Sequence, residues 1–327
     1  MDGQVEDLRR ETNEISLSPM MLSTSLRVTL FSAALVVGAT LAASAPGASA
    51  KSTPSVDWMK VHDGYIAYDD SGGNGPIIIC VPGLGDLRQQ YRFLAPRLKA
   101  AGFRVVTMDV RGHGQSSVDW PDYSAASVGA DVVSLIHLLG AKKVYIVGNS
   151  MAGAAAVWAA AEIPGAVAGI VLIDPFVREM PPSVFLNAFL KVATLRPWGP
   201  SFWSMYYGSL YKSSPPSDLP AYREALVANL KEPGRIEAVK AMIFASKSPC
   251  EARIPKVRAP VLVMMGSQDP DFDNPATEAK WVADHLHGKR LMIAGAGHYP
   301  HVEYPDIAGA AIVAFIEEVR VGEARRY

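Results

Sequence analysis

A serine lies in a tight turn between an apolar strand and an alanine-rich helix. Ser150 stands between Gly148 and Gly153, after the run KVYIV and before the run AAAVWAAA. Such a turn needs small residues beside the serine and lifts its hydroxyl above the edge of a sheet. The helix that follows supplies unpaired backbone N–H donors and a positive dipole end. The pattern predicts a nucleophilic serine, and the alternative interpretation is a small-residue helix start packed against a sheet.

Other kinds of site are not indicated by the sequence. His285 and His287 are too close together, and too isolated from other ligands, to suggest zinc. Gly83-x-Gly85 lacks the third glycine of a dinucleotide-binding fingerprint. We therefore predict no metal and no cofactor. The formal net charge of −1, from 31 Lys and Arg against 32 Asp and Glu, excludes an electrostatic nucleic-acid binder.

The elements that must position this serine alternate between strand and helix patterns after Lys51. Strands are predicted at 58–61, 65–69, 77–81, 104–109, 143–147, 169–173, 261–265 and 290–293. Helices are predicted at 91–101, 126–139, 151–161, 276–286 and 307–319. This alternation of apolar strands with helices predicts an α/β fold whose doubly wound, mostly parallel sheet is covered on both faces.

The alternation stops between Pro175 and Lys256. No strand pattern occurs there, and four helical stretches are separated by Pro and Gly. We therefore predict an α/β domain formed by residues 51–175 and 257–327, with an all-helical segment, residues 176–256, inserted after the sixth strand.

The first fifty residues differ in kind from the rest. An uncharged apolar run from Val28 to Ala43 follows Arg27 and precedes Ala48-Ser49-Ala50. A basic residue, an apolar run and an A-x-A site are the marks of a secretory signal peptide, and the run is short for a membrane span. We expect cleavage near Ala50, export to the periplasm or beyond the cell, and membrane contact only through this leader.

Residues 1–19 do not fit that interpretation. They carry more acidic than basic side chains, whereas a signal peptide begins with positive charge. Translation from Met20 or Met21 would restore an ordinary signal peptide, so we predict that the true start lies there.

The two cysteines, Cys80 and Cys250, could pair in an exported protein. Cys80, however, ends the apolar run of a predicted strand, where cysteine is usually a small buried hydrophobic residue. We therefore favour free, buried thiols.

Several segments together resemble the α/β-hydrolase fold family. In chain order they are Pro82-Gly83-Leu84-Gly85, the turn DVRGHGQS at 109–116, Gly148-Asn149-Ser150-Met151-Ala152-Gly153, Gly266-Ser267-Gln268-Asp269, and Gly297-His298 with Glu303 and Pro305. The similarity covers about residue 56 to 320 and implies a capped serine hydrolase of the esterase type, with the helical segment as its cap. Ala152 stands where the family usually has glycine, but alanine is small enough for the turn.

The resemblance also implies a catalytic triad. Ser150 is its nucleophile, Asp269 its acid and His298 its general base, in the chain order of this fold. Asp174, at the end of the preceding strand, is the rival acid, because some family members keep the acid there.

The resemblance places the oxyanion hole at the backbone N–H groups of Leu84 and Met151. Pro82 stands where the family often has histidine. This replacement leaves the backbone donors intact but removes a side chain that would brace the loop. His113, in the glycine-rich turn, is interpreted as structural.

Aromatic side chains are frequent in the helical segment. Trp203, Met205, Tyr206 and Tyr207 could line an apolar acyl or alcohol pocket over Ser150. The alternative is that most of these aromatic residues form the small core of the segment itself.

The leading hypothesis is a serine hydrolase that cleaves a small or medium carboxylic ester through an acyl-enzyme, with an apolar small-molecule substrate. One alternative is a C–C bond hydrolase of ring-cleavage products, whose nucleophile turn shares Asn149 and Met151. Another is a non-catalytic ligand-binding sensor on the same scaffold. The sequence makes no prediction about the oligomeric state.

Overall fold

An eight-stranded, mostly parallel sheet crosses the protein in the computed structural model of the chain. The strands are β1 Asp57–Val61, β2 Gly64–Asp70, β3 Ile77–Val81, β4 Arg104–Met108, β5 Val144–Asn149, β6 Val167–Ile173, β7 Val261–Gly266 and β8 Lys289–Ile293. Their order is β1-β2-β4-β3-β5-β6-β7-β8. Strand β2 pairs antiparallel with β1 and β4, and the other pairs are parallel. The predicted α/β fold class is confirmed.

The structure describes residues 56–62, 64–179 and 184–325, all within one compact unit. The predicted leader, its cleavage site near Ala50 and the alternative starts at Met20 and Met21 lie outside the described residues. Among the residues that are described, no helix combines the length and the apolar character needed to cross a membrane.

Eleven α-helices accompany the sheet in this described part. They are α1 Leu94–Ala100, α2 Ala125–Leu138, α3 Ala152–Glu162, α4 Val184–Ala193, α5 Gly199–Ser209, α6 Leu219–Lys231, α7 Arg235–Phe244, α8 Ser248–Glu251, α9 Pro275–Leu286, α10 Pro300–Glu303 and α11 Pro305–Ala324. Two short 3₁₀ helices lie at Arg88–Tyr91 and Ile254–Lys256.

The helix predicted from residue 91 begins later in the structure. Tyr91 ends a 3₁₀ turn, and α1 starts only at Leu94. Pro96 explains the difference, because proline is tolerated in the first turn of a helix but removes a hydrogen bond and clashes in its interior. The one-turn helix α10 was not predicted from the sequence.

The core has two layers because successive strand residues point to opposite faces of the sheet. Ile79 and Val81 of β3 pack with α2, α3 and α9 on one face. Ile78 and Cys80 pack with α1 and α11 on the other. Every residue of β5, β6 and β7 is buried, as expected for parallel strands covered on both sides. Each fully buried Ile or Val contributes roughly 1.5–3 kcal/mol to stability.

Both cysteines are free and buried, which confirms the predicted thiols. Burial raises the pKa of each thiol, that of Cys250 to about 12. Neither thiol is therefore ionised at neutral pH, and both act as small apolar side chains.

The described residues between β6 and β7 form helices joined by loops and contain no strand. We call α4 to α8 the helical insert. The four predicted stretches correspond to α4–α7, and α8 adds one turn. Trp203, Tyr207, Tyr211 and Tyr222 are buried within it, whereas Phe185 is 91% exposed. The aromatic residues thus form a small core only in part. The domain boundaries at 176 and 256, and a role for the insert as a cap, stay predictions.

Candidate active site

The turn at Ser150 joins β5 to α3. Ser150 has a φ of 58°, in the left-handed region that a side chain disfavours. Its amide donates to the carbonyl of Ile173 at 2.9 Å, and its carbonyl accepts from the amides of Gly153 and Phe176. Backbone contacts on both sides therefore hold the serine in this strained conformation.

Two glycines make this turn possible. A Cβ on Gly148 would lie 2.4 Å from the carbonyl oxygen of Ala152, and one on Gly153 would lie 2.5 Å from the Pro175 side chain. Ala152 itself fits, fully buried in the core. The residue that must be glycine on the helix side is thus Gly153, so the departure at Ala152 is accommodated.

The sheet brings Asp269 and His298 together. Asp269 follows β7 and His298 follows β8, and the carboxyl ends of parallel strands meet at one edge of the sheet. Nδ1 of His298 donates to Oδ2 of Asp269 at 2.7 Å, while Oδ1 of Asp269 accepts the amide of Asp271 at 2.9 Å. Both side chains are buried. This bond leaves Nε2 as the ring nitrogen available for a proton transfer.

The backbone of His298 is fixed to the serine turn and to the insert. The Asn149 side-chain amide donates to the His298 carbonyl at 3.2 Å. The His298 amide donates to the carbonyl of Leu210, which directly follows α5. These contacts place the imidazole-bearing loop beside the residue that precedes Ser150.

Glu303 holds the same loop from the other side. Its Oε1 accepts the amide of Gly297 at 2.6 Å, and its Oε2 accepts the amides of Lys212 and Ser214. The glutamate five residues after His298 therefore links the histidine loop to the helical insert.

A second carboxylate lies close to His298. Oδ2 of Asp271 is 3.7 Å from Nδ1 of His298. The hydroxyl of Tyr206, in α5, donates to Asp271 at 2.7 Å. Neither contact was predicted from the sequence, because each depends on where an insert helix meets a distant loop.

Asp174 does not contact His298 through a hydrogen bond. It is fully buried at the end of β6, and its Oδ1 accepts the amide of Gly266 at 2.9 Å. Of the two candidate acids, the structure brings Asp269 to the imidazole.

These charges shift the pKa values at the site. Burial alone would lower the pKa of His298, but the negative charge of Asp269, its hydrogen bond and the charge of Asp271 raise it to about 9. Burial also opposes ionisation of Asp269, yet the neighbouring imidazolium holds the pKa of that carboxyl below its ordinary value. The pair is therefore stable as an imidazolium–carboxylate contact.

The loop Gly83–Gly85 lies directly against the serine. A Cβ on Gly83 would be 3.0 Å from the Cβ of Ser150. Among the described residues, the amides of Leu84 and Met151 donate no backbone hydrogen bond. Two backbone donors are thus free next to the hydroxyl-bearing residue.

His113 braces this loop, although Pro82 does not. The amide of Gly85 donates to Nε2 of His113 at 2.8 Å, and Nδ1 of His113 contacts the carbonyl of Arg111 at 2.9 Å. Burial lowers the pKa of His113 to about 4, so the ring is neutral and Nε2 can accept.

The insert contacts the loop with three aromatic side chains. Trp203 donates to the carbonyl of Gly85 at 2.9 Å. Tyr222 and Tyr207 donate to the buried carboxylate of Asp86, at 2.6 and 3.2 Å. Burial raises the pKa of Asp86 to about 6 against these bonds. Trp203 and Tyr207 thus contact the loop after β3, and Tyr206 contacts Asp271 in the loop after β7, whereas Met205 is 61% exposed.

Asp174, Asp269 and His298 are the one group in the described part of the chain whose ligand-type atoms, within 4.8 Å of one another, could hold a metal ion. A metal would need ligand atoms about 2.0–2.2 Å from itself, on separate sides. The 2.7 Å bond between His298 and Asp269 is instead a hydrogen-bond geometry.

Comparison with known proteins gives consistent matches. A family model described as the alpha/beta hydrolase fold matches residues 76–305. Human monoglyceride lipase is 30% identical over 244 residues, which cover 72% of this chain and 78% of the lipase.

Two further matches differ in coverage and identity. An uncharacterized protein of Mycobacterium tuberculosis is 32% identical over 121 residues, 37% of this chain, and the match spans about a third (35%) of that protein's length. The structure of a thermophilic esterase from Thermogutta terrifontis, with malate bound, matches with a TM-score of 0.68 and 23% identity. That match covers 82% of this chain and 99% of the esterase.

Proposed function

The chain belongs to the α/β hydrolase fold family, and on that premise we propose that it is a serine hydrolase that cleaves a carboxylic ester through an acyl-enzyme. The observation that carries the proposal is the 2.7 Å bond from Nδ1 of His298 to Asp269, at the same sheet edge as the strained turn of Ser150. A buried imidazole oriented by a carboxylate, in a loop that contacts the residue before a serine in a strained turn, fits the arrangement that activates a hydroxyl nucleophile.

In the proposed reaction, the Ser150 hydroxyl oxygen attacks the ester carbonyl while Nε2 of His298 takes its proton. The N–H groups of Leu84 and Met151 stabilise the oxyanion, each worth about 2.7–4 kcal/mol in such sites. The imidazolium then gives its proton to the leaving alcohol oxygen, and the acyl group stays on Ser150. A water molecule, deprotonated by the same base, releases the carboxylic acid and restores the serine.

Asp269 has the role of an orienting group in this scheme. Its bond to Nδ1 fixes the tautomer that leaves Nε2 free, and its charge stabilises the imidazolium that forms. Asp174 makes no such contact, which favours Asp269 as the acid.

The helical insert supports an apolar substrate. Trp203 and Leu84 belong to the same apolar cluster. An aromatic side chain therefore adjoins the loop that carries the proposed oxyanion donor Leu84. We propose Trp203, Tyr206 and Tyr207 as residues that shape the substrate site, with the insert acting as a cap. The human relative is named a monoglyceride lipase, and monoacylglycerols are therefore among the first substrates to test.

The test combines a serine-directed probe with substrates of graded length. Purified protein and the Ser150→Ala variant are treated with a fluorophosphonate probe, with p-nitrophenyl esters of increasing chain length, and with a monoacylglycerol. We expect labelling at Ser150 and ester turnover, and loss of both in the variant.

Two other outcomes would contradict the proposal. No labelling at Ser150 would favour a non-catalytic ligand-binding protein. Labelling without turnover of any ester would favour another bond, such as the C–C bond of ring-cleavage products or a lactone or thioester.

A further inference from the structure

A second carboxylic acid lies behind the proposed triad and has no role in it. Asp174 follows β6, between the serine strand β5 and the acid strand β7 in the sheet. Its side chain is fully buried, and its φ of 44° shows that the backbone is bent sharply at this position. One carboxyl oxygen of Asp174, one of Asp269 and a ring nitrogen of His298 lie within 4.8 Å of one another.

The hydrogen-bond partners of the two carboxyl groups are unequal. Asp269 accepts on both oxygens from N–H donors, at His298 and at the Asp271 amide. Asp174 accepts on Oδ1 from Gly266, while its Oδ2 has no partner among the described residues. A carboxyl oxygen of Asp174 lies within 4.8 Å of a carboxyl oxygen of Asp269, so the two buried groups are direct neighbours. If both groups were ionised, no proton would be available to join them.

We propose that Asp174 is a neutral carboxylic acid whose proton is donated to Asp269, so that it acts as a positioning residue for the acid of the triad. A single proton on Asp174 gives the buried Oδ2 a role as a donor. It also removes the repulsion between two adjacent buried carboxylates, which otherwise prevents both from ionising. Its effect on activity rests on the proposed function, but its protonation state does not.

The surroundings of Asp174 support the neutral form. Burial and the charges of Asp269 and Asp271 raise its pKa well above the ordinary value. The positive group next to Asp174 is His298, a ring nitrogen of which lies within 4.8 Å of a carboxyl oxygen of Asp174. Two further titratable groups, Asp86 from the loop after β3 and the neighbouring His301, interact electrostatically with His298.

A neutral Asp174 has a definite consequence for His298. An ionised carboxylate at this distance would hold the imidazolium still more tightly and make the base less available. A neutral donor instead stabilises the charge of Asp269 without adding a second negative charge. The protonation state of Asp174 therefore affects the pH at which His298 becomes a base.

The isosteric variant Asp174→Asn tests this inference. The asparagine amide can donate to Asp269 while its carbonyl still accepts from Gly266, and it carries no charge. We expect kcat/KM to stay within about threefold of wild type, and the acid limb of its pH profile to stay in place, because no charge has been removed. Asp174→Ala, which lacks the donor, should lose about 10- to 100-fold, the size of effect seen when groups that orient metal ligands are removed.

An ionised Asp174 would give a different pH profile in the asparagine variant. If Asp174 is ionised, Asp174→Asn removes a negative charge near His298, and the acid limb moves to lower pH by about one unit or more. That shift, or a loss of activity in Asp174→Asn as large as in Asp174→Ala, would overturn the proposal.

A measurement without substrate separates this inference from the proposed function. The infrared difference spectrum between wild type and Asp174→Asn, taken at about pH 8, should show the carbonyl band of a neutral carboxylic acid in the wild type. A difference that contains only ionised carboxylate bands would refute the neutral form. Circular dichroism confirms that the variant is folded, and the result holds whether or not the protein hydrolyses esters.

Discussion

At the scale of single residues, the charge on His298 decides when the site can act. The general-base role proposed for it needs a neutral imidazole, yet the charges of Asp269 and Asp271 raise its pKa to about 9. This shift favours the protonated ring near neutrality, so we expect the proposed base to form only as the pH rises. The same carboxylates that orient the imidazole thus shift its activity to alkaline pH.

A pH dependence of the proposed ester hydrolysis follows from this shift. We expect kcat/KM to increase with pH through an apparent pKa above the ordinary 6.5 of histidine, toward about 9. Asp271→Asn removes one of the negative charges, so its acid limb should move to lower pH while the bond between His298 and Asp269 remains. A pH series with p-nitrophenyl esters measures the acid limb of the wild type and that of the variant. An acid limb below pH 6.5 in the wild type would contradict the electrostatic argument.

The left-handed conformation of Ser150 predicts that glycine is more stable than alanine at this position. The free energy of unfolding of Ser150→Gly should exceed that of Ser150→Ala by about 1 kcal/mol, because glycine adopts a φ of 58° without strain. Both variants should lack esterase activity, so the difference isolates the backbone. Chemical denaturation of the two variants measures it, and equal midpoints would show that the turn is not strained.

The turn at Ser150 could be predicted from sequence because its signals are local: a strand, small residues and a helix within a few positions. The pairing of Asp269 with His298 is implied by the resemblance of their two segments to the acid and histidine loops of the α/β-hydrolase fold family. The contact of Tyr206 with Asp271 and that of Tyr222 with Asp86 could not be predicted. They join residues far apart in the chain, and no periodicity records how an insert helix lies on a loop.

At the scale of elements, the loop after β3 is held between two neighbours. His113, in the turn after β4, accepts from Gly85 on one side, and Trp203 of α5 donates to Gly85 on the other. A Cβ on Gly85 would lie 2.2 Å from the Trp203 indole, which shows how closely the two segments pack. The position of the proposed oxyanion donor at Leu84 therefore depends on the insert as well as on the sheet domain.

Removing the indole donor should weaken this support. Trp203→Phe keeps an aromatic ring but leaves the buried carbonyl of Gly85 without its donor, which costs about 1–3 kcal/mol of stability. We also expect a lower kcat on p-nitrophenyl esters, because the Leu84 amide is held less firmly. Thermal denaturation and steady-state kinetics measure the two effects.

Trp198→Phe is the matched control for this prediction. Trp198 also donates its indole N–H to a backbone carbonyl, that of Val192, but it is 49% exposed and lies at the start of α5. Its replacement should leave kcat unchanged. An equal loss of kcat in both variants would mean that the insert acts on the site as a whole and not through the bond to Gly85.

In the molecule as a whole, three buried histidines make the free energy of unfolding depend on pH in opposite directions. His298 has a raised pKa, so its contribution is complete below pH 6.5 and is lost as the pH rises through about 9. Burial lowers the pKa of His113 to about 4 and that of His301 to about 3. Their contributions are present above pH 6.5 and are lost as the pH falls below it. The fold is therefore weakened by acid through two of these residues and by alkali through the third.

His301 is the better residue for testing the acid side. It is fully buried, it packs against the Tyr91 and Tyr299 rings at 5.2 and 6.1 Å, and neither ring nitrogen has a hydrogen-bond partner in the described part of the chain. His301→Phe keeps the aromatic contacts and removes two unpartnered polar atoms, which is neutral or stabilising in a buried site.

Below pH 6.5 the wild type should lose about 1.4 kcal/mol per pH unit through each such histidine, because the unfolded chain binds a proton that the folded chain does not. His301→Phe removes one of these protons, so its free energy of unfolding should fall less steeply between about pH 6 and 4. Denaturant unfolding at a series of pH values measures both slopes, and retained ester hydrolysis at alkaline pH serves as the control for an intact site. Parallel slopes for the two proteins would show that His301 is already protonated in the folded state, and would overturn its assignment as a buried neutral ring.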